Sequence, residues 1–180
     1  MEKAEILGQI KDLIKQWYSE GNKAVVPIGQ RRLRIGGPIY DHNEVSNVIE
    51  SLLSGWITIG PQVEKFENNF AKYCQVKYGV SVNSGSSANL IALSVLLDDS
   101  LSNQERIFPG DEVIVPATTF PTTATPIIQI GAVPVFVDVD PKTYNIIPEL
   151  IEKAITDKTK AVIPVHLFGH PANMSNIMTI

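Results

Sequence analysis

The sequence predicts an α/β fold built around a mostly parallel β-sheet. In the second half of the chain, short apolar segments alternate with stretches of helical periodicity, which is typical of β-α-β units. The segments at 112–116, 133–138 and 160–165 are apolar on both faces, as buried parallel strands are. With 180 residues, 44% of them hydrophobic, the chain can also enclose one sizeable core.

The N-terminal portion is predicted to be a helix followed by an arm without a core of its own. Apolar residues recur at helical spacing over residues 4–20. Residues 22–41 contain glycine, proline and a basic cluster, for which a solvated surface is the simplest interpretation. We therefore divide the chain into an N-terminal helix and arm, residues 1–41, and the N-terminal part of a larger domain, residues 42–180.

Two further helices are predicted before the alternating region. The first covers about residues 43–53, and the second opens at Pro61, since proline is favoured at the first position of a helix. The apolar residues at helical spacing in this second helix are Val63, Phe66, Phe70 and Cys74. Cys74 is therefore predicted to be a core residue rather than a reactive thiol.

From residue 78 onward, strands and helices are predicted to alternate, with a polar excursion at 98–111. The predicted strands are 78–83, 112–116, 133–138 and 160–165, and the predicted helices are 86–97, 119–131 and 147–156. Parallel strands joined in this way are expected to form right-handed crossovers.

Composition argues against several classes of partner and of site. The formal net charge of −4 does not favour a nucleic-acid or anionic-membrane partner. No apolar run approaches the roughly 20 residues that span a bilayer, and Glu2 and Glu5 stand where a signal peptide would be apolar. A single cysteine excludes an internal disulfide and a multi-cysteine metal site. These features predict a cytoplasmic protein.

Small polar residues at 83–87 separate the first predicted strand from the next helix. Ligands of open parallel sheets bind at the carboxyl ends of strands, and free N–H groups at a helix start favour an anion. Gly85 permits tight or left-handed backbone geometry, and Ser86 and Ser87 add hydroxyl donors. Serine is also a common helix cap without any ligand. The residues alone leave a phosphate site and a plain cap open.

Two other loops that follow predicted strands contain candidate site residues. Phe120 could stack on a flat ligand ring, although its spacing favours a core position under the next helix. His166 follows the last predicted strand as a polar group that could face a ligand, whereas His170 is interpreted as a loop residue. No metal site is predicted, because two histidines are too few, and Gly169 and Pro171 argue against a helix that would align them.

Five segments add a more specific signal through their order along the chain. They are GWITIGPQVEKFE, VNSGSSANLIAL, PGDEVIVPATTFPTT, GAVPVFVDVDPKTYNI and TDKTKAVIPVHLFGHPANM. In that order they resemble the DegT/StrS-type sugar aminotransferases, a family of fold type I pyridoxal phosphate (PLP) enzymes. The resemblance runs from about residue 35 to the C-terminus. It implies the three-layer PLP-transferase large domain, incomplete in this chain.

The resemblance also implies roles for individual residues. The turn formed by Gly85, Ser86 and Ser87 would hold the cofactor phosphate. Phe120 would stack on the pyridine ring, and His166 would lie near the cofactor. A second group would lie near the active site, in contact with substrate or at a homodimer interface: Trp56, Thr58 and Gly60.

Three features are similar to one branch of the family, the CDP-4-keto-6-deoxyglucose 3-dehydrases: the N-terminal helix with its arm, the excursion at 98–111, and the segment FPTTATPIIQIG. This branch implies pyridoxamine phosphate (PMP) as cofactor and an iron–sulphur cluster held outside these 180 residues. It also implies removal of the C-3 hydroxyl from a nucleotide-linked 4-keto-sugar, in deoxysugar or lipopolysaccharide biosynthesis. The segment HLFGHPANM resembles an ordinary nucleotide-sugar aminotransferase, which is the alternative.

The catalytic groups of the family are not expected within these 180 residues. In the family, the aspartate that pairs with the pyridine nitrogen comes later in the sequence. The lysine at the reactive carbon, replaced by histidine in the dehydrases, also comes later. Lys142, Lys153, Lys158 and Lys160 do not match that position. We therefore expect the N-terminal portion of a longer enzyme, with a truncated, non-catalytic remnant as the alternative.

Overall fold

The computed structural model describes residues 2–20, 39–56 and 58–180. The chain divides into two compact units, Met1–Val80 and Ser81–Ile180. Most of the predicted arm lies outside the described residues, and the domain division at residue 41 stays a prediction.

The described residues of the first unit form three α-helices: α1 Lys3–Glu20, α2 His42–Leu53 and α3 Pro61–Tyr73. α1 packs against α2, and an ion pair of 2.6 Å joins Lys11 Nζ to Glu50 Oε2. α2 begins with a capping box. The Asp41 carboxylate accepts a hydrogen bond from the Asn43 N–H, while the Glu44 carboxylate accepts one from the Asp41 N–H. All three predicted helices are confirmed.

α3 begins with a proline as predicted, but its buried face differs from the prediction. Ala71 is buried, whereas Phe66 and Phe70 are exposed and stack with ring centroids 5.7 Å apart. Cys74 is also exposed, so its predicted core position is wrong. The helix has ended by that residue, and the chain turns back so that the Val76 N–H donates to the Ala71 carbonyl. Helical spacing therefore no longer sets the direction of the cysteine.

The second unit alternates helices and strands around a parallel sheet. Its elements are α4 Gly85–Val95, β1 Glu112–Pro116, α5 Pro121–Gln129, β2 Val133–Val137, α6 Pro148–Ala154, β3 Thr159–Val162, a 3-10 turn Leu167–Gly169, and α7 Met174–Ile177. The strand order is β2-β1-β3, and both pairings are parallel. In register, Ile114 of β1 lies between Val135 of β2 and Val162 of β3.

Helices cover both faces of the central strand, as the predicted three-layer α/β fold requires. Val113 and Val115 of β1 pack on one side with apolar residues of α4 and α5, including Leu93 and Ile127. Ile114 packs on the other side with β2 and α6. All three β1 side chains are fully buried. Because side chains alternate along a strand, those of β1 enter two separate hydrophobic clusters, which explains why β1 is apolar on both faces.

The strand predicted at 78–83 is absent. These residues form neither a helix nor a strand, and they lie outside the three-stranded sheet. The boundary between the two compact units falls within this segment, after Val80. An apolar, β-branched sequence becomes a strand only when a neighbouring strand accepts its backbone hydrogen bonds, and the described sheet supplies none here.

Within the described residues, no helix combines the length and apolar character needed to cross a lipid bilayer.

Candidate functional site

The carboxyl ends of β1 and β3 lie side by side at one edge of the sheet. Because the two strands are parallel, the chain leaves both in the same direction. The Ile163 N–H, just beyond β3, still donates to the Ile114 carbonyl at 2.8 Å. Phe120 and His166 follow shortly after the last residues of β1 and β3. The structure therefore brings these two predicted site residues to the same edge.

The small-residue turn before α4 is organised by Ser84, which the sequence analysis did not single out. Ser84 has an extended backbone, and its hydroxyl accepts a hydrogen bond from the Ser87 N–H at 3.2 Å. The Ser87 hydroxyl in turn donates to Asn83 Oδ1 at 2.6 Å. The helix cap is thus Ser84, while the backbone N–H groups of Gly85 and Ser86 have no backbone acceptor within the described chain.

Gly85 does not use the left-handed backbone that a glycine permits. It is the first residue of α4, and the glycines with positive φ among the described residues lie elsewhere. A Cβ placed on Gly85 would meet no atom within 4 Å. The protein itself therefore leaves open space beside this helix start, into which a ligand could approach the backbone closely.

The starts of α4 and α5 are joined directly. The Asn89 side-chain amide, in the second turn of α4, donates to the Thr122 carbonyl in the first turn of α5 at 3.1 Å. Phe120 is the residue that precedes α5, and 69% of it is exposed. The core position favoured by its spacing is therefore wrong, and its exposed ring precedes the helix that this hydrogen bond joins to α4.

The loop after β3 holds the imidazole of His166 in a defined setting. His166 is exposed, and its Nδ1 accepts a hydrogen bond of 3.0 Å from the Ala172 N–H. His170 is an exposed loop residue, as predicted. The buried Asn145 donates to the carbonyls of His170 and Pro171. A lone asparagine inside the apolar segment TYNII is the one sequence signal that could have identified this residue.

Trp56, Thr58 and Gly60 lie together in the first unit, where they line a cleft of about 350 Å³. The Trp56 indole Nε1–H donates to the Ile59 carbonyl at 2.9 Å. A Cβ on Gly60 would lie only 2.1 Å from Trp56 Nε1. The indole and the glycine therefore depend on each other, and the predicted second group is a real local cluster.

The start of α4, where two N–H groups find no backbone acceptor within the described ranges, is joined to the start of α5, which follows the carboxyl end of β1. This arrangement defines an α/β domain in which an anionic ligand could bind at the sheet edge. The chain belongs to the DegT/DnrJ/EryC1/StrS aminotransferase family, whose pattern matches residues 38–180. The resemblance seen in the sequence is therefore confirmed.

Two relatives match nearly the whole chain. The lipopolysaccharide biosynthesis protein RfbH of Salmonella typhimurium is 39% identical over 176 residues, which are 96% of this chain and 39% of that protein. The dTDP-4-dehydro-2,6-dideoxy-D-glucose 3-dehydratase of Saccharopolyspora spinosa is 38% identical over 99% of this chain and 37% of its own length. The chain thus spans less than two fifths of these relatives.

A solved structure supports the fold assignment. GDP-4-keto-6-deoxy-D-mannose-3-dehydratase from E. coli, with bound hydrated PLP, superimposes with a TM-score of 0.73 at 38% identity. The match covers 81% of this chain and 36% of that one. Solved sugar aminotransferases and dehydratases among the matches are described in PLP or PMP forms. The chain therefore has the fold of part of a fold type I PLP enzyme.

Proposed function

We propose that this chain forms the cofactor-phosphate side of the active site in a PLP- or PMP-dependent enzyme that acts on a nucleotide-linked 4-keto-sugar. The observation that carries the proposal is the open start of α4, where Gly85 leaves space and the N–H groups of Gly85 and Ser86 find no backbone acceptor among the described residues. Such a helix start binds phosphate through backbone N–H groups and the helix dipole.

Each predicted cofactor contact has a defined place in this proposal. The N–H groups of Gly85 and Ser86 and the Ser86 hydroxyl would bind the phosphate, with Ser84 holding the turn in shape. The Ser87 N–H and hydroxyl donate to Ser84 and Asn83, so Ser87 would join them by turning its hydroxyl from Asn83 to the phosphate. The exposed ring of Phe120 would lie against the pyridine, which accounts for a large apolar side chain left uncovered at the sheet edge. His166 would contribute a polar contact. When bound, the cofactor supplies an electron sink for bond breaking next to the sugar carbonyl.

The cleft lined by Trp56, Thr58 and Gly60 is proposed to contact the substrate or the second subunit of a homodimer. Its support is the mixture of an exposed indole and polar groups in a single cleft. Aromatic side chains with a polar atom are frequent at protein interfaces.

Within the family, the C-3 dehydrase branch is the proposed reaction class. A relative named as a 3-dehydratase matches 99% of the chain, α1 included. An ordinary nucleotide-sugar aminotransferase is the second candidate, favoured by the segment HLFGHPANM. The residue at the reactive carbon of the full-length protein separates the two branches. Histidine there indicates the dehydrase, and lysine indicates the aminotransferase.

The phosphate role of the turn is tested by Ser86→Asp in the full-length protein. A carboxylate beside the cofactor phosphate should weaken PLP binding at least tenfold, roughly 1.4 kcal/mol or more, through like-charge repulsion. Binding is measured from the cofactor absorbance band during titration with PLP.

Ser94→Asp is the matched control, because Ser94 is an exposed serine on the same helix, two turns further on. It should leave PLP affinity unchanged. If the Ser86→Asp variant and the unaltered protein bind PLP with equal affinity, the turn does not bind the cofactor phosphate. A full-length protein that takes up no PLP or PMP would end the proposal as a whole.

A further inference from the structure

Asn145 is a buried polar residue whose side chain is fully occupied by one loop. Only 5% of the residue is exposed. Its Nδ2 donates to the His170 and Pro171 carbonyls, at 3.0 Å each, and its Oδ1 accepts from the Leu167 N–H at 3.3 Å. All three partners belong to the loop that follows β3. A buried amide with both hydrogens and its oxygen engaged holds its partners strongly, because releasing them would leave unpaired polar groups.

The backbone around Asn145 is itself tightly held. The Asp140 N–H donates to the Asn145 carbonyl at 2.9 Å, and the Asp140 carboxylate accepts from the Lys142 and Thr143 N–H groups. The next residue, Ile146, is 2% exposed and packs in the core with α6. The amide is therefore anchored to the core at one end and to the loop at the other.

The loop fastened by Asn145 carries His166. Asn145 binds the N–H of Leu167, the residue next to the histidine, while the Ala172 N–H donates to His166 Nδ1 at 3.0 Å. A neutral imidazole whose Nδ1 accepts a hydrogen bond carries its proton on Nε2. Among the described residues, no hydrogen-bond partner of that Nε2 is found.

We infer that Asn145 is a positioning residue that holds the 167–171 loop in shape, so that His166 stays in the Nε2–H tautomer. The histidine thereby offers a fixed N–H donor at the carboxyl edge of the sheet. The use of this donor rests on the proposed function, since an Nε2–H group would donate to an acceptor atom of the cofactor or the sugar. The geometry of the loop can be tested without either ligand.

The tautomer is read directly from the ring ¹⁵N resonances of histidine-labelled protein at about pH 8, where an ordinary histidine is neutral. In the full-length protein, a His166→Gln variant assigns the signals of His166, because those signals are the ones that disappear. In the unaltered protein, His166 should show one protonated nitrogen, Nε2, and one unprotonated nitrogen, Nδ1. An Nδ1–H tautomer would overturn the inference.

Asn145→Ala should release the loop, because it removes both links to the 170–171 carbonyls and the acceptor for the Leu167 N–H. The large separation between the two ring ¹⁵N resonances of His166 should collapse as the tautomers average. Asn173→Ala is the matched control, since Asn173 caps the nearby α7 by accepting from the Asn176 N–H. A folded Asn145→Ala variant that keeps the pure Nε2–H tautomer would contradict the inference.

Hydrogen exchange in the unaltered protein decides the matter if the variant does not fold. The Leu167 and Ala172 amides should both be protected, and rapid exchange of either would contradict the inference. PLP titration separates the inference from the proposed function. If the protein binds no PLP but His166 is in the Nε2–H tautomer, the proposed function is contradicted and the role of Asn145 stands. If the protein binds PLP but His166 is in the Nδ1–H tautomer, the proposed function stands and the inference about Asn145 is contradicted.

Discussion

At the scale of single residues, neighbouring serines that look alike in sequence have different tasks. Ser84 leaves the helical backbone, with φ of −163°, and its hydroxyl caps α4. Ser86 lies inside the first turn, where its N–H is directed towards the helix start. Sequence identifies a run of small polar residues, but the point at which the backbone becomes helical decides which serine is the cap and which N–H groups stay available.

Gly60 is a residue of the first unit whose small size is needed by a neighbouring side chain. In Gly60→Ala, the new Cβ would lie 2.1 Å from Trp56 Nε1, so the indole must move and its hydrogen bond to Ile59 must break. We expect a loss of about 1 kcal/mol in the free energy of unfolding, the typical net value of one hydrogen bond, and a changed Trp56 fluorescence spectrum. A Trp17→Phe background isolates the signal, because the chain has two tryptophans.

Gly8→Ala is the control for this change. Gly8 lies inside α1, and a Cβ there would meet no atom within 4 Å. Alanine should therefore stabilise the helix by roughly 0.5–1 kcal/mol, and it should leave the Trp56 spectrum unaltered. An unchanged spectrum in Gly60→Ala would mean that the indole does not pack on the glycine.

At the scale of elements, the helices were predictable because their signals are local. Pro61, Pro121 and Pro148 each open a helix, and the apolar periodicity between them gives the extent to within a few residues. The strand predicted at 78–83 failed because a strand needs a partner. Whether a neighbouring strand exists is a non-local property that apolar composition does not report.

The capping box of α2 makes the stability of that helix depend on pH. The hydrogen bond from the Asn43 backbone N–H is the main cause that lowers the pKa of Asp41 below its ordinary value of 3.8. A carboxylate with a lowered pKa in the folded state stabilises the fold above pH 3.8, and this contribution is lost as the pH falls through the folded pKa. Asp41→Ala should therefore lower the Tm at neutral pH.

The loss of Tm in Asp41→Ala should shrink steadily below about pH 4, as measured by thermal denaturation followed by circular dichroism. Asp12→Ala, at an exposed carboxylate in the interior of α1, controls for the loss of one negative charge. A Tm difference that stays constant from pH 7 to pH 3 would show that the ionised carboxylate does not cap α2.

At the scale of the whole chain, many large apolar side chains are exposed. Phe136 lies on β2, an edge strand of the sheet, and is 57% exposed, and Phe66 and Phe70 are exposed on α3. Exposed apolar surface beside an unpaired strand edge favours association with another chain. We expect the 180-residue chain expressed alone to self-associate. Light scattering during gel filtration measures this, and a monodisperse monomer would contradict it.

Local patterns and the order of segments were enough to predict most of the helices, with the proline that opens α3, and a parallel sheet from strands apolar on both faces. They also identified the serine turn, and the family through five segments in order. Which side chains are exposed, and which polar groups already have hydrogen-bond partners within the protein, depends on the tertiary structure. It placed Phe120 and Cys74 outside the core, assigned the cap to Ser84, and gave Asn145 its partners in the loop after β3. The physical reason is that burial and hydrogen-bond partners depend on residues distant in sequence, whereas caps and periodicity depend on near neighbours.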